Sequence, residues 1–211
     1  VEDARELNPA SSPTIFVFVN RLATELPLGR LDLVRLFGRE APLQVDLGCG
    51  DGCFLWELAQ RFPEKNFLGI ERLTKRVEKV RRKAQRIENI RVLRAESFFA
   101  VCYLLPTNSV EAFYLLFPDP WPKRRHQQRR IFTSEFLDAI AAALGQGGVL
   151  RVATDQLAYF GQIEQLSRAH PQFQVSCVDE IALPLTKFER KFCEQALPIY
   201  RLTLRKTSPV K

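Results

Sequence analysis

The sequence predicts an α/β chain organised as a doubly wound, mostly parallel sheet. Three observations carry that reading. Short apolar runs alternate with stretches of helical period, a glycine-rich turn joins the first such run to its helix, and the next run closes on an acid, Glu71. Strands and helices that alternate in this way bury both faces of a parallel sheet.

Residues 1–14, polar and punctuated by Pro9 and Pro13, read as a flexible N-terminal arm, and residues 15–211 as a single domain. Ile15 to Val19 is apolar but lacks the charged flank and cleavage site of a signal peptide. Leu31, Val34, Leu36 and Phe37 recur on a helical period. Leu43 to Leu47 is the first strand, and Leu55 to Phe62 the helix that Pro63 stops. Asn66 to Leu68 starts the second strand, Thr74 to Arg86 is helical, and Asn89 to Leu93 is the third strand. Ser97 to Leu105 reads as helix, and Val110 to Phe117 as a buried central strand ended by Pro118. Ile131 to Leu144 sets Phe132, Phe136, Leu137, Ile140 and Leu144 on one helical face, and Gly147-Gly148 leads into the strand Val149 to Ala153. A helix over Leu157 to Ala169 precedes two final strands, Phe173 to Val178 and Ile199 to Leu204, expected to pair antiparallel at the sheet edge. The outcome is a Rossmann-like sheet of seven strands with an antiparallel edge strand.

Composition narrows the function. With 46% apolar and 26% charged residues the chain is that of a soluble globule, and no run approaches the ~18 apolar residues a membrane span needs. A cytoplasmic protein without a membrane partner is the expectation. Five cysteines, two histidines and no C-x-x-C pair make a poor zinc site, so no metal is expected. The net charge of +7 is gathered in two patches. Ten Lys or Arg lie from Arg72 to Arg94 against two acids, Glu78 and Glu88. Lys123, Arg124, Arg125, Arg129 and Arg130 form the second patch, with no acid among them. Each patch alone could be a solvated face; two of them after successive strands suit a nucleic-acid phosphate backbone.

Gly48, Gly50 and Gly52 form G-x-G-x-G directly after Val45-Asp46-Leu47, and Glu71 ends the second strand. Such a turn brings a ligand close to the backbone, and a carboxylate at the second strand suits ribose hydroxyls. The third glycine comes one residue early for a dinucleotide fingerprint, and Asp46 and Asp51 would repel a pyrophosphate. They suit a sulfonium or an amino group, which favours S-adenosylmethionine over NAD; a plain strand-to-helix turn is the alternative. Asp46, Glu71, Glu96, Asp119 and Asp155 each fall near a strand's carboxyl end, where open α/β sheets bind ligands. Each could instead cap the helix that follows. Asp119 is set apart by Phe117-Pro-Asp-Pro-Trp-Pro122, where alternate prolines stiffen a loop beside an aromatic ring.

Gly69-Ile70-Glu71, Phe117-Pro-Asp-Pro-Trp-Pro-Lys-Arg-Arg-His126 with Arg129-Arg130, Ala153-Thr-Asp155 and Thr186-Lys-Phe-Glu189 occur in order. Together they resemble the tRNA (guanine-N7-)-methyltransferase family of class I methyltransferases, over residues 40–204. The resemblance implies transfer of a methyl group from S-adenosylmethionine to N7 of a guanosine in the tRNA variable loop. It assigns Asp46, Gly48, Gly50, Glu71, Glu96 and Asp119 to the cofactor pocket, with Asp119 also catalytic. It assigns Lys123, Asp155, Thr186, Lys187, Phe188 and Glu189 to the substrate. The chain departs from the family pattern at Glu96-Ser97, and at Ala196, which stands where a glycine is common before Pro-Ile-Tyr. A methyltransferase for an exocyclic amine or a small molecule, and a non-catalytic RNA-binding module of the same fold, are the rival readings.

Overall fold

The computed structural model describes residues 15–19, 22–26, 29–176 and 183–207. The expected arm over residues 1–14, Cys177 and Val178 lie outside the described residues. The chain runs β1 (Ile15–Val19), β2 (Leu22–Leu26), α1 (Leu33–Phe37), β3 (Leu43–Leu47), α2 (Cys53–Arg61), β4 (Asn66–Glu71) and α3 (Thr74–Ala84). It continues through β5 (Ile90–Arg94), α4 (Ser97–Phe99) with a π turn (Ala100–Leu104), β6 (Val110–Leu116) and a 3₁₀ turn (Arg124–Arg129). Then follow α5 (Ser134–Ala143), β7 (Leu144–Thr154), α6 (Leu157–Ala169), β8 (Phe173–Ser176), α7 (Lys187–Glu194) and β9 (Tyr200–Lys206).

The sheet has nine strands in the order β2-β1-β5-β4-β3-β6-β7-β9-β8. The seven expected strands are the contiguous block from β5 to β8. Strands β3 to β7 pair in parallel, and β9 pairs antiparallel with both β7 and β8, one place in from the edge. The two additional strands are the hairpin β1–β2, antiparallel to β5 with Val17 opposite Leu93. Local pattern did not reveal it, because a short hairpin depends on distant pairing more than on local propensity. Strand β7 also begins earlier than expected, at Leu144, with a register shift against β6 that absorbs the glycines before Val149.

Helices cover both faces. Phe136, Leu137 and Ile140 of α5 and Tyr159 and Ile163 of α6 join the larger apolar cluster, while Phe54, Leu55 and Leu58 of α2 pack in another with Phe67 and Ile90. All five residues of β3 are buried, as a central parallel strand requires. Alternation sends Leu43, Val45 and Leu47 to one face and Gln44 and Asp46 to the other. Gln44 is satisfied there: Tyr114 Oη donates to its Oε1 at 2.7 Å, and its Nε2 donates to Glu111 Oε2 at 2.7 Å. Asp46, at the carboxyl end of the same face, belongs to the site described below. The chain leaves β3 toward β4 on one side and returns to β6 on the other. The resulting switch point places a crevice at the carboxyl ends of these strands.

Helix α7 ends in a turn at Ala196. Ala196 sits at φ 51°, and its amide donates to Cys193 O while that of Leu197 donates to Phe192 O. A left-handed residue after a helix costs an L side chain ~1–2 kcal/mol, which glycine avoids at a smaller entropic cost in the unfolded chain. Ala196→Gly should therefore raise unfolding free energy by about 0.5–1 kcal/mol; urea titration reads it, and a destabilised variant would show that the turn is not strained.

Candidate active site

The site grows from the end of β3. The amides of Gly48 and Cys49 both donate to Ile70 O, at 2.8 and 3.0 Å, folding the glycine turn onto the end of β4. Close approach is possible because position 69 carries no side chain; a Cβ there would meet Cys49 Sγ at 2.7 Å. Gly48 and Gly50 take φ of 80° and 58°, a region L residues rarely adopt, and a Cβ on Gly48 would meet no atom within 4 Å. The turn thus presents bare backbone to open space.

Glu71 holds the turn from the neighbouring strand. Its Oε2 accepts from Gly50 N at 3.1 Å and its Oε1 from Leu73 N at 2.9 Å, with Arg76 at 3.6 Å. The carboxylate is 4% exposed. Each oxygen keeps a lone pair for a ligand. Asp46 is equally enclosed, and among the described residues none donates a hydrogen bond to it. Burial, with the charge of Glu71 beside it, pushes its carboxyl up to about 7. Burial likewise raises the Cys49 thiol. Asp51 behaves in the opposite way: burial would raise it, but hydrogen bonds from Lys187 and Cys53 and the nearby Lys83 hold it at about 2.

The opposite wall is the loop after β6. Phe117 N donates to Ala153 O at 2.8 Å, and Phe117 and Trp121 take φ of 55° and 41°. Two bulky residues in the left-handed region bracket Pro118-Asp-Pro120, strain of the kind found where a loop must aim one group. Among the described residues Asp119 makes no hydrogen bond or ion pair, and it is exposed to the crevice. Trp121 lies between the edge-on ring of His126, centroids 5.9 Å apart, and the guanidinium of Arg129 at 5.1 Å.

These walls enclose a cleft of about 730 Å³, within the range of small-molecule sites. It brings together Asp46, Gly48, Gly50, Glu71, Glu96, Asp119, Thr186, Lys187 and Phe188. Glu96 does so while capping α4, accepting from Phe98 N and Phe99 N at 3.0 and 2.8 Å. Lys123, Asp155 and Glu189 do not line it. Lys123 is exposed at the head of the 3₁₀ turn, and Asp155 accepts from Gln156 Nε2 at 2.6 Å. Glu189 faces a smaller neighbouring pocket. Its Oε2 accepts from Thr186 N at 2.7 Å, Thr186 Oγ1 accepts from Glu189 N at 3.0 Å, and Arg201 pairs with its Oε1 at 2.8 Å. Thr186-Lys-Phe-Glu189 is thus a capping box, a signal already present in its T-x-x-E spacing. The cleft also takes in Cys53, and Arg76, Lys79 and Arg129, which the sequence marked only as members of the basic patches: their charge was visible but not their direction. Arg130, placed with the basic patch, is instead 7% exposed and turned inward. Among the described residues no His, Cys, Asp and Glu group could hold a metal, and no helix is long and apolar enough to cross a membrane.

A family model described as a putative methyltransferase matches residues 40–202. The tRNA (guanine-N(7)-)-methyltransferase of Alkalilimnicola ehrlichii is 35% identical over 85% of this chain and 79% of its own length. The chain belongs to this methyltransferase family. The enzyme of the same name from Halorhodospira halophila is 36% identical, over 84% of the chain and 80% of its own length. That of Thermotoga maritima is 36% identical over 83% of the chain, which spans only 58% of that longer relative. Among solved structures, the 16S rRNA methyltransferase KamB superposes with TM-score 0.62 at 17% identity, covering 93% of this chain and all of its own. The aminoglycoside resistance methyltransferase NpmB1 gives 0.60 at 18%, over 92% of the chain and all of its own. They share the class I methyltransferase fold. The family's cofactor, S-adenosylmethionine, fits the residues present. A carboxyl to which no described residue donates, Asp46, is enclosed and opens on the cleft, a second, Glu71, has lone pairs to spare, and the turn between them carries no Cβ at Gly48 or Gly50.

A carboxyl raised in the folded state retains a proton that the unfolded chain has lost, here between pH 3.8 and about 7. Its contribution to stability therefore falls as pH rises through that window. Asp46→Asn should raise the melting temperature, by more at about pH 8 than at about pH 5, and should weaken cofactor binding measured by calorimetry. A gain independent of pH would deny Asp46 its raised pKa.

Proposed function

We propose that the protein methylates N7 of a guanosine in the variable loop of tRNA, with S-adenosylmethionine as donor. The observation that carries this reading is a carboxylate, Asp119, that pairs with none of the described residues and is held by a strained proline-rich loop across the cleft from the cofactor turn. When bound, S-adenosylmethionine supplies a methyl group on a positively charged sulfur. Asp46 and Glu71 favour that cofactor by charge and by ribose contact, and Gly48 and Gly50 admit it. Guanine N7 has an in-plane lone pair, so no proton must leave before attack and no general base is required. The residues' work is alignment and exclusion of water, which is catalysis by positioning. Methylation makes the base cationic, and the fixed carboxylate of Asp119 favours the charge as it develops. Trp121 offers a flat ring beside it for a base to stack on.

Lys187 and Phe188, which line the cleft and are exposed, are assigned to the substrate, while Thr186 and Glu189 act by shaping the head of α7. Lys123 and Asp155 are assigned to the RNA outside the cleft. The basic face of α3 and the 3₁₀ turn carry phosphates. Residues 15–211 are taken as one catalytic domain, and a cytoplasmic setting follows from a tRNA substrate.

Labelled cofactor and bulk tRNA, digested to nucleosides after reaction, should give 7-methylguanosine; label on an exocyclic amine, or in no nucleoside, would decide for a rival. Asp119→Asn should lower turnover by about two to three powers of ten, with a much smaller change in cofactor affinity. Near-normal turnover would remove Asp119 from the mechanism. Replacing Arg82 and Arg86, or Arg124 and Arg125, by alanine should raise the KM for tRNA and flatten its salt dependence without altering cofactor affinity. An unchanged salt slope in both would make the patches solvent-facing only.

A further inference from the structure

Arg129 and Arg130 are adjacent and chemically identical, yet the structure gives them opposite fates. Arg129 is exposed over Trp121. Arg130 follows the last residue of the 3₁₀ turn and points inward, 7% exposed. Its Nε donates to Pro120 O at 2.8 Å, and its Nη1 to Gln162 Oε1 at 2.6 Å. The guanidinium lies 4.6 Å from the centroid of the Tyr159 ring. Tyr159 is wholly buried, and its hydroxyl accepts from Phe132 N at 3.3 Å. Among the described residues no carboxylate forms an ion pair with Arg130. A buried cation satisfied only by neutral oxygens and a ring is costly to keep, so its retention calls for a purpose.

Pro120 supplies that purpose. Pro118, Pro120 and Pro122 carry no backbone N–H, so the loop has few donors with which to bind itself to the sheet. Its entrance is fastened where Phe117 N meets Ala153 O. Beyond Asp119, the backbone oxygen of Pro120 is fastened by Arg130. Asp119 thus sits between two pinned points, one on β7 and one on a guanidinium braced against α6.

We propose that Arg130 is a positioning residue for Asp119, acting through the Pro120 carbonyl with Tyr159 and Gln162 as its support. This rests on the methyl-transfer reading, in which Asp119 faces the substrate. Arg130 does not touch substrate or cofactor. It fixes where the Asp119 carboxylate stands, and its planar fork reaches Pro120 and Gln162 at once while stacking on Tyr159. An ammonium keeps the charge but cannot reproduce that geometry.

The test uses Arg130→Lys and the milder Gln162→Ala in the full chain. Displacing a catalytic group by about 1 Å can cost about a hundredfold, so Arg130→Lys should lower kcat about ten- to a hundredfold. Cofactor Kd by calorimetry, and KM for tRNA, should stay within about threefold. Gln162→Ala should move kcat in the same direction by less, which keeps the test alive if the lysine variant folds poorly. In an Asp119→Ala background, Arg130→Lys should cost less than about threefold, because the group it positions is gone. With Trp56 replaced by phenylalanine, Trp121 becomes the only tryptophan, and its fluorescence anisotropy should fall in Arg130→Lys as the loop loosens. An active parent with an undiminished Arg130→Lys, or equal losses with and without Asp119, would overturn the inference. A parent that methylates no guanosine would instead overturn the functional reading, and the anisotropy of Trp121 would still report whether Arg130 holds the loop.

Discussion

The structure of this site depends on one carboxylate placed between two loops. Glu71 ends β4 and accepts one amide from the glycine turn and another from the start of the next segment, at Gly50 and Leu73. It is almost fully enclosed and lies next to another enclosed acid, Asp46. Two carboxyls so close and so buried oppose each other, and the molecule answers by raising Asp46 rather than by pairing it. This end of the cleft therefore favours a cation, whose charge would lower the cost of ionising Asp46 beside Glu71. The cleft's remaining walls follow from where β3 hands over to β4 and β6.

A second constraint acts on the far wall. Prolines remove the donors that a loop would use to attach itself, and the two flanking aromatic residues take backbone angles that disfavour bulky side chains. Such a loop keeps its shape only if external groups hold it. The Ala153 carbonyl holds one end and the Arg130 guanidinium the other. Rigidity here comes from the scaffold strands and α6, which is the arrangement a group needs if it is to be aimed accurately.

Much of this was legible in the sequence because its signals are local. The apolar runs, the glycine spacing and the acids at strand ends marked the seven core strands and most of the cleft wall. What stayed hidden depended on direction and distance. Arg129 and Arg130 look alike in the sequence, and the end of the turn between them decides which faces water. Thr186 and Glu189 could be read as ligand residues from a motif, and the structure adds that their shared hydrogen bonds start a helix. Asp155 and Lys123 fall near the right strand ends but outside the cleft, since a residue's position along the chain does not say which way its side chain turns. The β1–β2 hairpin escaped because its strands are defined by pairing with a partner far along the chain.

That hairpin has a consequence for how the protein comes to exist. In the finished sheet β1 covers the side of β5 that would otherwise be an open edge, a place where unrelated chains can add strands. During synthesis the hairpin emerges early, while β5 is made only after α1, β3, α2, β4 and α3. Until then the hairpin has no sheet to join, and once β5 appears its own edge stays open until the hairpin returns. Closing a contact between residues as distant as Val17 and Leu93 is slow compared with forming the helices between them. The same hairpin that protects the mature sheet thus leaves the nascent chain with two open strand edges, one on β1 and one on β5, and the interval before they meet exposes this protein to misassembly.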